Sequence, residues 1–266
     1  MIINYNILII FICILIMCSL GFKKYIWFIS IGYGLSISII GITLFILFIK
    51  ELTILKIISS IILITYGIRL SGYLAIREFK SKTYNNKINK EIKDGKSIPH
   101  LFKIMMWISC SILYLFMTSP IIYRFVNNVK DDITMIIGIV LAAVGIIIES
   151  ISDYQKSKSK EKNPDFFCNT GLYKIVRCPN YFGEIIIWTG IFIAGINSLN
   201  IYQLIISIIG YISIIYVMFS GARRLEIRQD KTYGKNKKYQ KYIKEIPILI
   251  PFIPLYSVKK YKWLIA

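Results

Sequence analysis

Most of the chemistry this chain can offer lies in one block, Thr170-Gly171-Leu172-Tyr173-Lys174-Ile175-Val176-Arg177-Cys178-Pro179-Asn180-Tyr181-Phe182-Gly183-Glu184. Arg177 can hold a phosphate or a carboxylate through paired hydrogen bonds. Asn180 offers both a donor and an acceptor, as a carboxamide partner needs, and Tyr181 can stack on a flat ring. Glu184 lies four residues beyond Asn180, on the same helical face, and opens an apolar run. A carboxylate at the mouth of a membrane span is costly and is usually kept for a reason. Gly171 and Gly183 let the backbone approach a ligand closely. Pro179 suits the first turn of a helix, whose N-terminus favours an anion. A plain capped helix start with an interfacial tyrosine accounts for Pro179 and Tyr181. It leaves Arg177, Asn180 and Glu184 together unexplained, and these suit a phosphate-bearing organic ligand.

Two further groupings have a chemical reading. Glu149 and Asp153 in Glu149-Ser150-Ile151-Ser152-Asp153-Tyr154-Gln155-Lys156 are four apart and share a helical face. They could bind ribose hydroxyls, with Lys158, Lys160 and Lys162 beyond them meeting phosphates; a helix end with a solvated basic tail is the plainer account of the lysines. Tyr66, Arg69 and Tyr73 fall on one face by three- and four-residue spacing, with Arg77 following. A tyrosine beside an arginine can give a proton to a developing enolate, because the cation favours the phenolate. An aromatic belt with a snorkelling arginine is the alternative.

These residues must be positioned by membrane helices. The chain has 266 residues, is 56% hydrophobic and 18% charged, and has a mean hydropathy of +0.61. A soluble domain of this length carries more charge. Seven apolar runs stand out, roughly 2–20, 25–49, 52–76, 104–123, 133–149, 183–195 and 202–219. A span needs about 20 helical residues. The sixth run is short and glycine-rich, as a tilted or re-entrant segment would be, and the first is too long and too lightly flanked for a cleaved signal peptide. The expected fold is an all-α polytopic bundle of about seven transmembrane helices, forming a single integral membrane domain over 1–266.

Lysine and arginine cluster after the first, third, fifth and seventh runs, including Arg77, Lys80, Lys82, Lys87, Lys90, Lys93, Lys96 and Lys103. The positive-inside rule then gives an outside N-terminus and a cytoplasmic C-terminus. Arg69, Glu149, Asp153, Glu184, Arg223, Arg224 and Glu226 would all lie at the cytoplasmic leaflet, as a polar pocket walled by apolar helices or as separate interfacial anchors. The net charge of +19 fits a basic face towards anionic lipid headgroups and does not point to nucleic acid. The five cysteines show no zinc or redox spacing. With His100 the only histidine, no metal site or histidine-based triad is expected.

In order along residues 50–256, the chain resembles the steroid 5-alpha-reductase-like superfamily of integral membrane enzymes, and most of all its bacterial branch of unknown function. The matching residues are Tyr66–Arg69 with Tyr73 and Arg77, Glu149–Gln155, Asn169–Glu184, and Tyr239 with Tyr242 before Ile248–Pro254. The resemblance implies a seven-helix bundle that binds NADPH from the cytosolic side, in the cell membrane, and reduces a carbon–carbon double bond conjugated to a carbonyl in an apolar, lipid-like substrate. By motif position it implies that Tyr66 donates the proton. Cofactor contacts would fall to Arg69, Asp153, Arg177, Asn180, Tyr181, Glu184 and Arg224, with Asn180 and Glu184 near the nicotinamide. The family's arginine–histidine–proline–asparagine run reads Arg177-Cys178-Pro179-Asn180 here, and the second run holds no counterpart of the reductases' catalytic glutamate. Membrane methyltransferases of the isoprenylcysteine or phospholipid type, which use S-adenosylmethionine, carry a similar block. A non-catalytic lipid-binding protein is a third expectation.

Overall fold

In a bilayer every backbone N–H and C=O must be satisfied within the chain, so apolar runs become helices even when they are rich in β-branched isoleucine. The computed structural model, which describes residues 4–80 and 98–264, follows this rule, with no strand among the described residues. The helices are α1 (Tyr5–Cys18), α2 (Ile31–Leu47), α3 (Ile54–Lys80), α4 (His100–Val126), α5 (Ile133–Lys162), α6 (Pro179–Gly195), α7 (Ile201–Tyr233) and α8 (Lys237–Glu245). The lysine-rich stretch holding Lys82, Lys87, Lys90, Lys93 and Lys96 lies outside the described residues.

Among the described residues, six helices are long and apolar enough to cross a membrane: α1 with its 3-10 extension to Phe22, α3, α4, α5, α6 with its extension to Ser198, and α7. The second expected span is shorter than the hydropathy suggested. Tyr25–Ile29 forms a 3-10 turn, and Ser30 breaks the path with φ −129° and ψ −97°, so α2 has only 17 residues. The sixth span, by contrast, gains length. Its helix opens at Pro179, the position where a proline's missing N–H costs nothing, and runs as a 20-residue span. The longest helices, α5 with 30 residues and α7 with 33, reach about 45 and 50 Å at 1.5 Å per residue. Their ends therefore extend past a hydrocarbon core of about 30 Å. Along α5 the exposed side chains Ile136, Ile137, Val140, Val144, Ile147 and Ile151 form an apolar stripe suited to lipid.

The chain forms two compact units, one of Met1–Ile139 with Ile191–Gly210, the other of Val140–Gly190 with Tyr211–Ala266. In the first unit, α2 and α3 meet along a seam of small residues. A methyl group on Gly34 would lie 2.7 Å from Gly67 O, and one on Gly67 the same distance from Ser38 N. Ser71 adds a hydroxyl bond to Ile31 O at 3.0 Å. At one end of this unit the fully buried Arg124 donates to Ala194 O (3.0 Å) and Lys130 O (2.7 Å) and pairs with Asp132 at 2.8 Å. Nearby in sequence to Arg124, Asn128 takes the buried Lys56 ammonium on its side-chain oxygen at 2.7 Å. In the second unit α5 and α6 cross at Gly145 and Gly183. A methyl group on Gly183 would sit 2.8 Å from Gly145 O and 2.9 Å from Glu149 N.

Candidate functional site

The second unit gathers the polar block at the start of α6. Arg177 N donates to Pro247 O and Cys178 N to Ile248 O, each at 2.9 Å, so the residues just before the span are bonded to the segment after α8. Burial pushes the Cys178 thiol up to about 11, which makes it a core residue rather than a nucleophile. The Arg177 guanidinium is buried as well. One of its terminal nitrogens donates to Glu226 Oε1 at 3.1 Å and to the Tyr256 carbonyl, while Glu226 Oε2 accepts from Val258 N at 3.0 Å. The charge expected to hold a phosphate is thus met inside the protein by a carboxylate. Arg224 is exposed on α7, and its neighbour Arg223 donates to Lys259 O (3.2 Å) and Leu264 O (3.1 Å).

One turn into α6 the surroundings change from cationic to acceptor-rich. Glu184 is buried, and its Oε2 accepts from Trp188 Nε1 at 2.8 Å. The side-chain oxygen of Asn180 is buried without a hydrogen-bond partner among the described residues. Glu149 and Asp153 of α5 are both buried, and Glu149 lies against Gly183, the residue before Glu184. The glycine crossing brings the backbone of Glu149 against the residue before Glu184. Tyr181 packs towards α7, where a methyl on Gly221 would be 3.1 Å from its ring.

The loop before α6 is held by contacts that single residues do not advertise. Gly171 has φ +59° and lies against the Gln155 side chain, whose Oε1 accepts from Leu172 N at 2.9 Å. A side chain at Gly171 would be strained there, so this glycine serves loop docking. Tyr242 donates to Tyr173 O at 2.7 Å, and Tyr239 to Asp230 Oδ1 at 2.8 Å. Burial raises both phenols above their ordinary range, Tyr239 further through its carboxylate partner. Lys160, read from sequence as a phosphate contact or a solvated tail, instead donates to Phe166 O (2.6 Å), Tyr233 OH (2.7 Å) and Pro164 O (2.9 Å).

Tyr66 and Arg69 belong to the first unit; Asp153, Arg177, Asn180, Tyr181, Glu184 and Arg224 belong to the second. Tyr66 is 1% exposed, and its hydroxyl donates to Tyr33 OH at 2.7 Å. Tyr33 in turn lies 5.0 Å, ring to ring, from Tyr114, whose hydroxyl bonds to Phe28 O at 2.6 Å. An aromatic-belt role does not account for a phenol this deeply enclosed. Arg69 and Tyr73 are half-buried on the same face, with the Arg77 guanidinium 5.5 Å over the Tyr73 ring. Two residues here escaped the sequence reading. Tyr33 sits between Gly32 and Gly34 on the span that lacks an acid, and the buried Glu78 accepts from Trp27 Nε1 (2.9 Å) and Lys24 (2.6 Å). In the sequence Glu78 stands just past the third apolar run, between Arg77 and Lys80, and reads only as one more charge in a basic stretch.

Spanning helices, buried charges near their ends and an isoleucine-rich exterior define a multi-span helical membrane protein. The chain belongs to the family described as protein of unknown function (DUF1295), whose model matches residues 18–246. No curated protein and no solved structure matches it.

Proposed function

We propose that the protein is an integral membrane reductase of the steroid 5-alpha-reductase-like type, acting with NADPH on the double bond of an apolar, lipid-like enone. The observation that carries this reading is the enclosed Tyr66 phenol, hydrogen-bonded to a second phenol at 2.7 Å. NADPH, when bound, supplies the hydride. Tyr66 holds the proton that a developing enolate takes up, Tyr33 OH can turn to donate to the phenolate left behind, and the Arg69 charge on the same helical face favours that anion.

The second unit suits the donor-rich parts of such a cofactor. The unmatched Asn180 oxygen and the Glu184 carboxylate can accept from a carboxamide NH2, and Glu149 and Asp153 from ribose hydroxyls. With Arg177 engaged by Glu226, the phosphates would fall to exposed cations such as Arg224 and Lys158. The lysine asymmetry of the sequence puts that side in the cytoplasm of the cell. The engagement of Arg177 also favours a second reading, a methyltransferase. S-adenosylmethionine carries an amino group and a sulfonium and no phosphate, so an acceptor-rich site fits its cationic end, and its single carboxylate would fall to an exposed cation such as Arg224.

Thermal unfolding of the detergent-solubilised protein with NADPH or S-adenosylmethionine tests the two. NADPH should raise the transition temperature, and Glu184→Gln should weaken its binding by one to two decades, since a hydrogen bond to a charged group is worth about 1.5–3 kcal/mol. Stabilisation by S-adenosylmethionine alone would replace the reductase with the methyltransferase. Stabilisation by neither would leave a lipid-binding role.

A further inference from the structure

The segment that follows α8 combines two features that do not belong together in water. It is firmly fixed, yet it exposes large aromatic side chains. Ile248, Leu249, Val258 and Leu264 are buried, while Phe252 is 96% and Trp263 is 64% exposed. Phe252 occupies the tip of a Pro251-Phe252-Ile253-Pro254 turn, closed at its base by Ile248 N to Leu255 O at 2.8 Å. Its φ of +64° is a conformation that a bulky residue adopts at a cost, and no packing within its unit accounts for holding a phenylalanine there.

Three sets of contacts fix the depth of this segment. Pro247 and Ile248 accept from Arg177 N and Cys178 N, immediately before the span that starts at Pro179. Trp263 O accepts from Tyr216 OH at 2.9 Å, and Tyr216 lies inside the apolar part of α7. Arg223, about two turns further along α7, donates to Lys259 O and Leu264 O. The segment therefore runs along the level where α6 begins and α7 leaves its apolar stretch, with its tryptophan beside apolar helix. Lys259, Lys260 and Lys262 are exposed between the two aromatics. Exposed tryptophan and phenylalanine with interspersed lysines match the boundary between acyl chains and anionic headgroups.

We propose that residues 247–264 form a membrane-interface anchor, in which Phe252 and Trp263 enter the headgroup–acyl boundary and Lys260 and Lys262 meet anionic headgroups. The proposal is independent of the cofactor and of any catalysis. It is tested with nitroxide labels on Phe252→Cys and Trp263→Cys, and on Asp165→Cys in an exposed loop as the aqueous control. The unmodified chain supplies the background, since four native cysteines are buried and Cys13 is half-buried within α1. In phosphatidylcholine vesicles containing phosphatidylglycerol, labels at 252 and 263 should show a ratio of oxygen to nickel-chelate accessibility several-fold above that at 165. Equal ratios at the three positions would overturn the proposal. So would protection at 252 and 263 found only in native membranes and not in vesicles of the purified protein, which would mean that another protein covers the segment. In the Lys260→Glu, Lys262→Glu variant the labels should become shallower in vesicles with the anionic lipid; unchanged depth would overturn the headgroup contact.

Discussion

The pairing of Arg177 with Glu226 makes a quantitative demand. The two side chains are 2% and 3% exposed and lie 3.1 Å apart. Removing either one leaves an uncompensated charge in a buried setting, which costs about 3–5 kcal/mol. Glu226→Leu has a further consequence, because Val258 N loses its acceptor. Arg177→Met leaves the carboxylate facing apolar neighbours and frees the Tyr256 carbonyl. Either change should loosen the segment after α8, since this network holds it together with two backbone bonds from Arg177 and Cys178 and the contacts of Tyr216 and Arg223. The double variant removes both charges and should cost much less than the two single costs added, with a coupling at or above the top of the usual 0.5–3 kcal/mol range, about 3 kcal/mol. Unfolding of the solubilised protein in a denaturing-detergent titration measures all four corners of the cycle. Trypsin cleavage at the exposed lysines 259, 260 and 262 reports release of the segment. Single variants within about 0.5 kcal/mol of the parent, or costs that simply add, would refute the reasoning. If Arg177→Met left stability untouched and abolished NADPH binding, the arginine would be a ligand residue and Glu226 a bystander.

At the α5–α6 crossing, Gly183→Ala places a methyl 2.8 Å from Gly145 O and 2.9 Å from Glu149 N, backbone atoms that cannot swing aside. A loss of about 1–3 kcal/mol is expected, whereas Gly72→Ala, with nothing within 4 Å, should be neutral or gain up to about 1 kcal/mol of helix propensity; equal midpoints for the two variants would contradict the seam. Asp132 lies well below the usual carboxylate range: burial would raise it, but hydrogen bonds from Arg124, Thr134 and Met135 N, together with the Arg124 charge, outweigh that. A depressed folded-state value stabilises above the unfolded value of about 4 and is lost as pH falls below it. The unfolding midpoint should therefore drop steeply below pH of about 4 in the parent and less steeply in Asp132→Asn.

The spans were legible because a bilayer turns apolar length into helix with few alternatives. What hydropathy could not show was Ser30, where a local backbone conformation ends a 3-10 turn and shortens α2. Nor did it show how far α5 and α7 continue, since lysine, arginine and glutamate past Glu149 and Phe219 are good helix formers that register only as polar. Pro179 was legible as a helix start from its own chemistry. The placement of Glu149, Asp153 and Glu184 at or near the ends of apolar runs was legible, but their burial was not, because exposed interfacial anchors fit the same positions. The partner of Arg177 was not, since Glu226 stands 49 residues away and any nearby anion would have satisfied the sequence equally well. Tyr33 carried no periodic signal, and only the packing of α2 on α3 brings its hydroxyl to Tyr66.

The seams at Gly34 with Gly67 and at Gly145 with Gly183 bring main chains into contact, and this changes where the structural information of the chain resides. Between helices in lipid there is no gain from removing apolar surface from water, so association rests on close fit and short-range attraction. The isoleucines on the outside meet acyl chains that do not distinguish them from leucine or valine. Wholesale exchange among aliphatic residues on that surface should leave the bundle intact, as drift in base composition would impose. A few hydrogen-sized positions carry the specification of which helix meets which, and at what register. A redesign that kept every exposed side chain but filled those positions would keep its hydropathy profile and lose its fold.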